Sequence, residues 1–275
     1  MKSFDGEVLA SEILSALSGF LPSYQAREFV SYLLGVDYKD LHNHLSRKIE
    51  LLGYKKFIVK KVFEGYPVSY VTKSREFFGY EFYVDERVLI PRHETEILVE
   101  EALKIDIKKP KVLDICTGSG VILATYLLQK VDATGVGVDI SLPALEVAMI
   151  NLRKHNLIDR SYLVCLDAVR NLESVNISEF DIILCNPPYI SNNEKLPNSV
   201  LYEPHQALFA EDNGYYFYKK LLRIIYKSCK EDTIIFFEIG DGMSEELKKI
   251  FSGKEISFIE DFTGKKRVLK WINSK

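Results

Sequence analysis

The chain is poor in the residues that staple or anchor a protein. Its four cysteines, Cys116, Cys165, Cys185 and Cys229, stand far apart in 275 residues, without the spacing of a metal cluster or a redox motif. That excludes a disulfide scaffold and leaves buried, reduced thiols in a cytoplasmic protein as the expectation. Long apolar runs are missing too, so no segment is expected to span a membrane. The opening stretch, MKSFDGEVLASEILSAL, interrupts its apolar positions with acids, and no signal peptide is expected. Excess charge of either sign is also lacking. Lys and Arg number 36 against 39 Asp and Glu, a net charge of −3, which argues against affinity gained by coating a nucleic-acid backbone. Repeats and low-complexity segments are absent. What remains is enough chain to bury one large core or two unequal ones.

Up to about Val71 the apolar residues fall at helical spacing, as in Val8, Leu9, Ile13, Leu14 and Leu17, without strand alternation. Pro22 opens a second helix carrying Ala26, Phe29, Val30, Leu33 and Leu34, with Gly35 as its stop. A small helical domain is predicted over residues 1–72. His42 and His44 alternate in HNH but lack further ligands, so a solvated edge is expected and no metal site. From Ser74 the period changes. REFFG and YEFYV flank Gly79-Tyr80 and predict a β-hairpin linker over 73–92. TEILVEEALK then reads as a helix capped by Thr95 or Glu94, with Ile97, Leu98 and Leu103 on its apolar face.

Residues 93–275 form the remaining domain. Beyond Pro110, short β-branched runs alternate with helical segments: KVLDIC, GVGVDI, PALEVAMINLRKH, YLVCL, DIILCN, TIIFFEI, EISFIED and RVLKWI. This alternation means a parallel sheet with crossover helices. The last two runs have no helix between them and predict an antiparallel pair at one edge. The fold class is therefore α/β, with a Rossmann-like, seven-stranded mixed sheet.

Two motifs carry chemistry. DICTGSG joins the first strand of this sheet to a helix, and Gly118 and Gly120 allow close backbone approach while the helix start offers N–H groups to a polar ligand. A glycine turn alone is an ordinary connection. Asp139, at the end of the next strand, adds a carboxylate that can accept both hydroxyls of a ribose. The dinucleotide fingerprint would need a third glycine where Leu123 stands, and no Walker lysine follows. With the antiparallel edge pair, S-adenosylmethionine is the better reading, and Asp167-Ala168 after the third strand is placed to border its adenine.

CNPPYI, after the fourth strand, presents acceptors. The Asn186 side-chain oxygen and the Pro187 carbonyl can each take one N–H of a planar NH₂ group, Pro187 and Pro188 stiffen the segment, and Tyr189 can cover the flat face by stacking. Such a pocket suits methyl transfer to an amide or aromatic amine. Two acceptors push electron density onto nitrogen and bind more strongly as positive charge develops there. No histidine base is required, so His155 and His205 are read as surface or packing residues.

Together YEFYVDERVLIPRHETEILVEEAL, DICTGSG, CNPPYI, YEPHQAL, FEIG and DFTGKKRV resemble the release-factor glutamine methyltransferases, a family of class I S-adenosylmethionine-dependent enzymes. The resemblance runs from the hairpin to the C-terminus. It implies methylation of the glutamine side-chain amide in the Gly-Gly-Gln motif of peptide chain release factors. It also implies a donor site built from Asp114, Cys116, Thr117, Gly118, Ser119, Gly120, Asp139, Asp167, Ala168 and Asn186. The substrate amide falls to Asn186, Pro187, Pro188 and Tyr189 with Arg92 nearby, the alternative for Arg92 being a cap on the helix that follows; Asn186, Pro187 and Tyr189 carry the catalysis, and the helical domain helps engage the release factor. Two positions depart from the family pattern: Cys116 stands where a glycine is usual and His93 where a proline is.

NPPY alone also fits methyltransferases of adenine or guanine amines in nucleic acid. The N-terminal stretch, however, mixes Glu7, Glu12 and Asp37 with Lys55, Lys56, Lys60 and Lys61. A non-catalytic nucleotide-binding partner protein is the third reading, opposed by the intact NPPY. A monomer without stable nucleic-acid binding is expected.

Overall fold

A computed structural model describes residues 4 and 6–274. The opening stretch read against a signal peptide lies partly outside them. The chain forms two compact units, Met1–Ser74 with Leu196–Tyr202, and Arg75–Lys195 with Glu203–Lys275.

The smaller unit contains β1 (Gly6–Leu9), α1 (Ala10–Leu17), α2 (Ser23–Leu34), β2 (Lys48–Leu51), α3 (Gly53–Phe63) and α4 (Val68–Thr72). It is not purely helical, as its sequence suggested. β1 and β2 pair antiparallel, with Val8 opposite Ile49. The strand signal was there in KIEL, where Ile49 and Leu51 are buried and Lys48 and Glu50 exposed, but four residues are too few to outweigh the helical spacing around them. Val8 and Leu9 therefore belong to a strand, and α1 buries Ala10, Ile13 and Leu17. Pro22 precedes α2 and Gly35, at φ 65°, ends it as expected. Lys55, Lys56 and Lys60 lie exposed along α3, while Ile58, Val59 and Val62 face the core. His42 and His44 sit in a short 3₁₀ segment, and no cluster of metal-ligating side chains occurs among the described residues.

The larger unit begins with a hairpin, β3 (Arg75–Phe77) and β4 (Tyr80–Phe82). Its turn falls at Phe78 and Gly79, one residue earlier than the sequence suggested, because both carry positive φ (54° and 75°) and Tyr80 already pairs with Phe77. α5 (Glu94–Leu103) follows. Neither Thr95 nor Glu94 caps it; Thr95 is turned inward and buried with Leu98, Val99 and Ala102.

The central sheet uses β5 (Lys111–Ile115), β6 (Thr134–Asp139), β7 (Ser161–Cys165), β8 (Ile182–Cys185), β11 (Ile234–Glu238), β12 (Glu255–Glu260) and β13 (Lys266–Ile272). Between them run α6 (Val121–Gln129), α7 (Leu142–Lys154), α8 (Ala168–Asn171), α9 (His205–Leu208), α10 (Tyr216–Ser228) and α11 (Ser244–Ile250), and a small parallel pair, β9 (Ile190–Ser191) and β10 (Phe209–Ala210). The order is β12-β13-β11-β8-β5-β6-β7. β13 alone is reversed, antiparallel to both β11 and β12.

Both faces of the sheet are covered, which is why β8 is buried throughout. Ile182 and Leu184 join the hairpin's Phe77 and Phe82 and the inner sides of α5 and α6. Ile183 and Cys185 join Tyr218, Leu221 and Ile225 of α10 and Leu247 of α11. The chain runs β5, β6, β7 outward, then returns to place β8 on the other side of β5. That reversal opens a crevice beyond the carboxyl ends of β5 and β8, where open α/β sheets bind ligands.

Candidate active site

Register brings the two motifs together. Ile115 pairs with Cys185, so Cys116 and Asn186, the next residue of each strand, leave the sheet side by side. Here a cleft of about 950 Å³, its open mouth included, is lined by Cys116, Thr117, Gly118, Ser119, Asp139, Asp167, Ala168, Asn186 and Pro188, among others. These are nine of the residues singled out from the sequence.

The loop after β5 turns sharply. Cys116 has φ 61°, a conformation glycine adopts freely and a side chain rarely does, so the residue that departs from the family pattern keeps the glycine-like backbone. Gly120 has φ 78°, and a Cβ there would stand 3.0 Å from that of Ala148 on α7. Gly120 thus packs the loop against α7 and is not among the residues that line the cleft. The N–H groups are less open than the sequence suggested: Thr117 donates to Val138 O (3.0 Å), Gly118 to Asp139 Oδ2 (2.9 Å) and Gly120 to Thr117 O (2.8 Å). The loop therefore offers close approach more than free donors.

Asp114 also stands away from the cleft wall. It is wholly buried beneath the loop, where its carboxylate accepts from Thr117 Oγ1 and from Leu123 N (3.2 Å). Burial pushes its carboxyl up to about 7, against the pull of those bonds. It supports the loop from behind and does not reach the cleft.

Asp139 faces the cleft, its two oxygens aimed by the N–H groups of Gly118 and Ser141 (both 2.9 Å). Burial raises its pKa and these bonds lower it. Each oxygen keeps a further lone pair for a ligand hydroxyl. The apolar wall comes from residues such as Ile122, Val138, Ile140 and Leu166. Asp167 caps α8 by accepting from Val169 N (2.9 Å). These features fit a nucleoside.

At the other end Asn186 Nδ2 donates to Thr95 Oγ1 over 3.4 Å, which leaves the Asn186 oxygen without an intramolecular donor among the described residues. Pro187 and Tyr189 lie off the cleft wall; the Tyr189 hydroxyl donates to Glu238 Oε1 (3.2 Å). Arg92 is likewise not on the wall. It pairs with Glu203, which also accepts Ile90 N (2.9 Å) and is buried. The pair ties down the segment whose Pro91 lines the cleft.

Several residues had no site role in the sequence reading: Thr95, read only as a helix cap, Glu203 and Glu238, and Asn151 on α7, which bonds both Tyr83 and Ser119. Arg87 lines the cleft, held by Asp85 (2.7 Å) and Glu146 (2.8 Å). Asn151 stands in a helical run like any other, and only its total burial marks it. His155 packs 4.8 Å from the Phe82 ring and His205 stacks on Phe209 at 4.4 Å, as packing residues do. The cysteines are only partly buried: Cys185 and Cys229 are, but Cys116 faces the cleft and Cys165 is exposed at the end of the edge strand β7. No helix among the described residues is long and apolar enough to cross a membrane.

A seven-stranded sheet with one reversed strand and a cleft at its switch point defines a class I methyltransferase fold. A methyltransferase from Pyrococcus furiosus shares it at TM-score 0.55 and 14% identity, over 80% of this chain and 100% of that one. Residues 93–211 match the model of the methyltransferase small domain. Release factor glutamine methyltransferases from Flavobacterium psychrophilum and Clostridium acetobutylicum are 36% and 32% identical, over 81% and 98% of this chain and 80% and 98% of theirs. The chain belongs to the release factor glutamine methyltransferase family. It spans about half the length of the bifunctional methyltransferases it matches in Rickettsia typhi and Rickettsia bellii, 51% and 47%.

Proposed function

We propose that the chain transfers a methyl group from S-adenosylmethionine to the side-chain amide nitrogen of the glutamine in the Gly-Gly-Gln motif of class 1 peptide chain release factors. The observation that carries this reading is Asn186: it shares one cleft with Gly118 and Asp139, and its nitrogen is bonded while its oxygen is not. Family membership supplies the substrate class.

When bound, the donor supplies a methyl carbon activated by a sulfonium. Asp139 receives the ribose hydroxyls, and Asp167 and Ala168 border the base. Asn186 Oδ1 accepts an N–H of the substrate amide and turns its lone pair toward the methyl carbon, with Pro187, Pro188 and Tyr189 keeping the segment rigid. As charge builds on nitrogen this acceptor binds it more tightly. The extra proton then leaves to water. The helical unit, acting in a monomer, grips the release factor.

The test supplies labelled S-adenosylmethionine with a release factor, the same factor with its Gly-Gly-Gln glutamine replaced, and a nucleic-acid pool. Label on the intact factor alone is expected. Label confined to nucleic acid would assign the chain to exocyclic amine methylation instead.

A further inference from the structure

Asn186 accepts from a substrate only if its amide is held one way round. Turned over, it presents two N–H donors in nearly the same shape. Thr95 Oγ1 sets the orientation by accepting from Nδ2 (3.4 Å). A hydroxyl is a dependable acceptor when its own proton is committed elsewhere, and the neighbour for that proton is Glu238. This residue ends β11, buried, and the Thr95 and Tyr189 hydroxyls are the neighbouring side chains that hold its carboxyl down against the effect of burial. Tyr189 takes Oε1 (3.2 Å), and buried Oε2 has no partner at full hydrogen-bonding geometry. A buried carboxylate oxygen facing the interior without a donor is costly unless a proton is directed to it.

We propose that Glu238 and Thr95 are positioning residues for methyl transfer: the buried carboxylate takes the Thr95 proton, so that Thr95 Oγ1 holds the Asn186 amide with its oxygen toward the substrate nitrogen. The same carboxylate holds the Tyr189 hydroxyl, so one group orders two members of the motif. This rests on the reading of Asn186 as the acceptor for the substrate nitrogen. The ionisable groups around Glu238 are Glu94 of α5, Cys185 of β8, Arg267 of β13, Tyr189, and Tyr218 of α10. Burial pushes the Glu238 carboxyl up to about 7, so the acceptor form is lost as pH falls through that value.

Thr95→Val keeps the side-chain shape without the hydroxyl, and Thr95→Ser restores the hydroxyl. With a release factor as substrate, Thr95→Val should lower kcat about tenfold while KM and the affinity for S-adenosylhomocysteine stay within about twofold, and Thr95→Ser should recover most of the rate. Wild-type kcat should fall below pH 7. Glu238→Gln should be slow at every pH and lose that limb. A wild-type kcat in Thr95→Val overturns the proposal. So does a loss of rate matched by equal loss of cofactor affinity, or an acid limb that survives in Glu238→Gln. Should the wild-type chain methylate only nucleic acid, the Gly-Gly-Gln reading fails, and the same variants on that amine decide the positioning role separately.

Discussion

Asn151→Ala tests how the loop after β5 is supported. Asn151 has no exposed surface. Its Oδ1 accepts from Tyr83 N (2.7 Å), and its Nδ2 donates to Tyr83 O and to Ser119 O (2.9 Å each). One side chain therefore joins α7 to the chain leaving the hairpin and to the loop on the cleft wall. Alanine removes three hydrogen bonds and strands the backbone groups they served. At about 1 kcal/mol each the loss is about 3 kcal/mol. Trp271, the chain's one tryptophan, is buried on β13, so its fluorescence reports unfolding of the larger unit. With a urea slope of about 3 kcal/mol per molar, the midpoint should fall by about 1 M. Affinity for S-adenosylhomocysteine should weaken as well, because Ser119 loses its tether. Asn151→Asp should be no better, since a carboxylate would face two carbonyl oxygens. A midpoint shift under about 0.3 M would refute the clamp, and lost stability with unchanged cofactor affinity would refute its link to the loop.

Asp139→Ala should weaken S-adenosylhomocysteine binding by about 2 kcal/mol, roughly 30-fold, and near-native affinity by calorimetry would contradict the ribose assignment. Gly214→Ala should cost about 2 kcal/mol and depress turnover. Gly214 has φ 90°, and a Cβ there would stand 2.1 Å from Tyr189 O, so an unaltered melting temperature would show that the motif does not need this contact. Asp114→Asn should flatten the pH dependence of stability. Folded Asp114 keeps its proton up to about 7, whereas the unfolded chain releases it near 3.8, so stability is full below about pH 4 and falls as pH rises toward and through 7. Urea midpoints in the variant should lack a slope of about 1 kcal/mol per pH unit between pH 5 and 7, and equal slopes would place the proton elsewhere.

Much was legible in the sequence because the signals are local. Alternating strand and helix runs announced the α/β sheet, and the missing helix after EISFIED announced the antiparallel edge pair. Positions that read wrongly were those where tertiary contacts outweigh local preference. Thr95 looked like a cap and is an interior hydroxyl. The partner of Arg92 is Glu203, far along the chain, which no local signal announces. Residues Leu196–Tyr202 go with the smaller unit, though no composition change marks them.

By itself the sequence determined the strands of the central sheet, the glycine turn after β5 and the acceptor-rich segment after β8, since backbone preference and side-chain chemistry are written there residue by residue. Only the tertiary structure decided that β8 lies beside β5, setting Cys116 next to Asn186, and that Thr95 and Glu238 stand behind Asn186. Strand order and the partners of buried polar groups follow from how whole faces pack, and no stretch of chain carries that information alone.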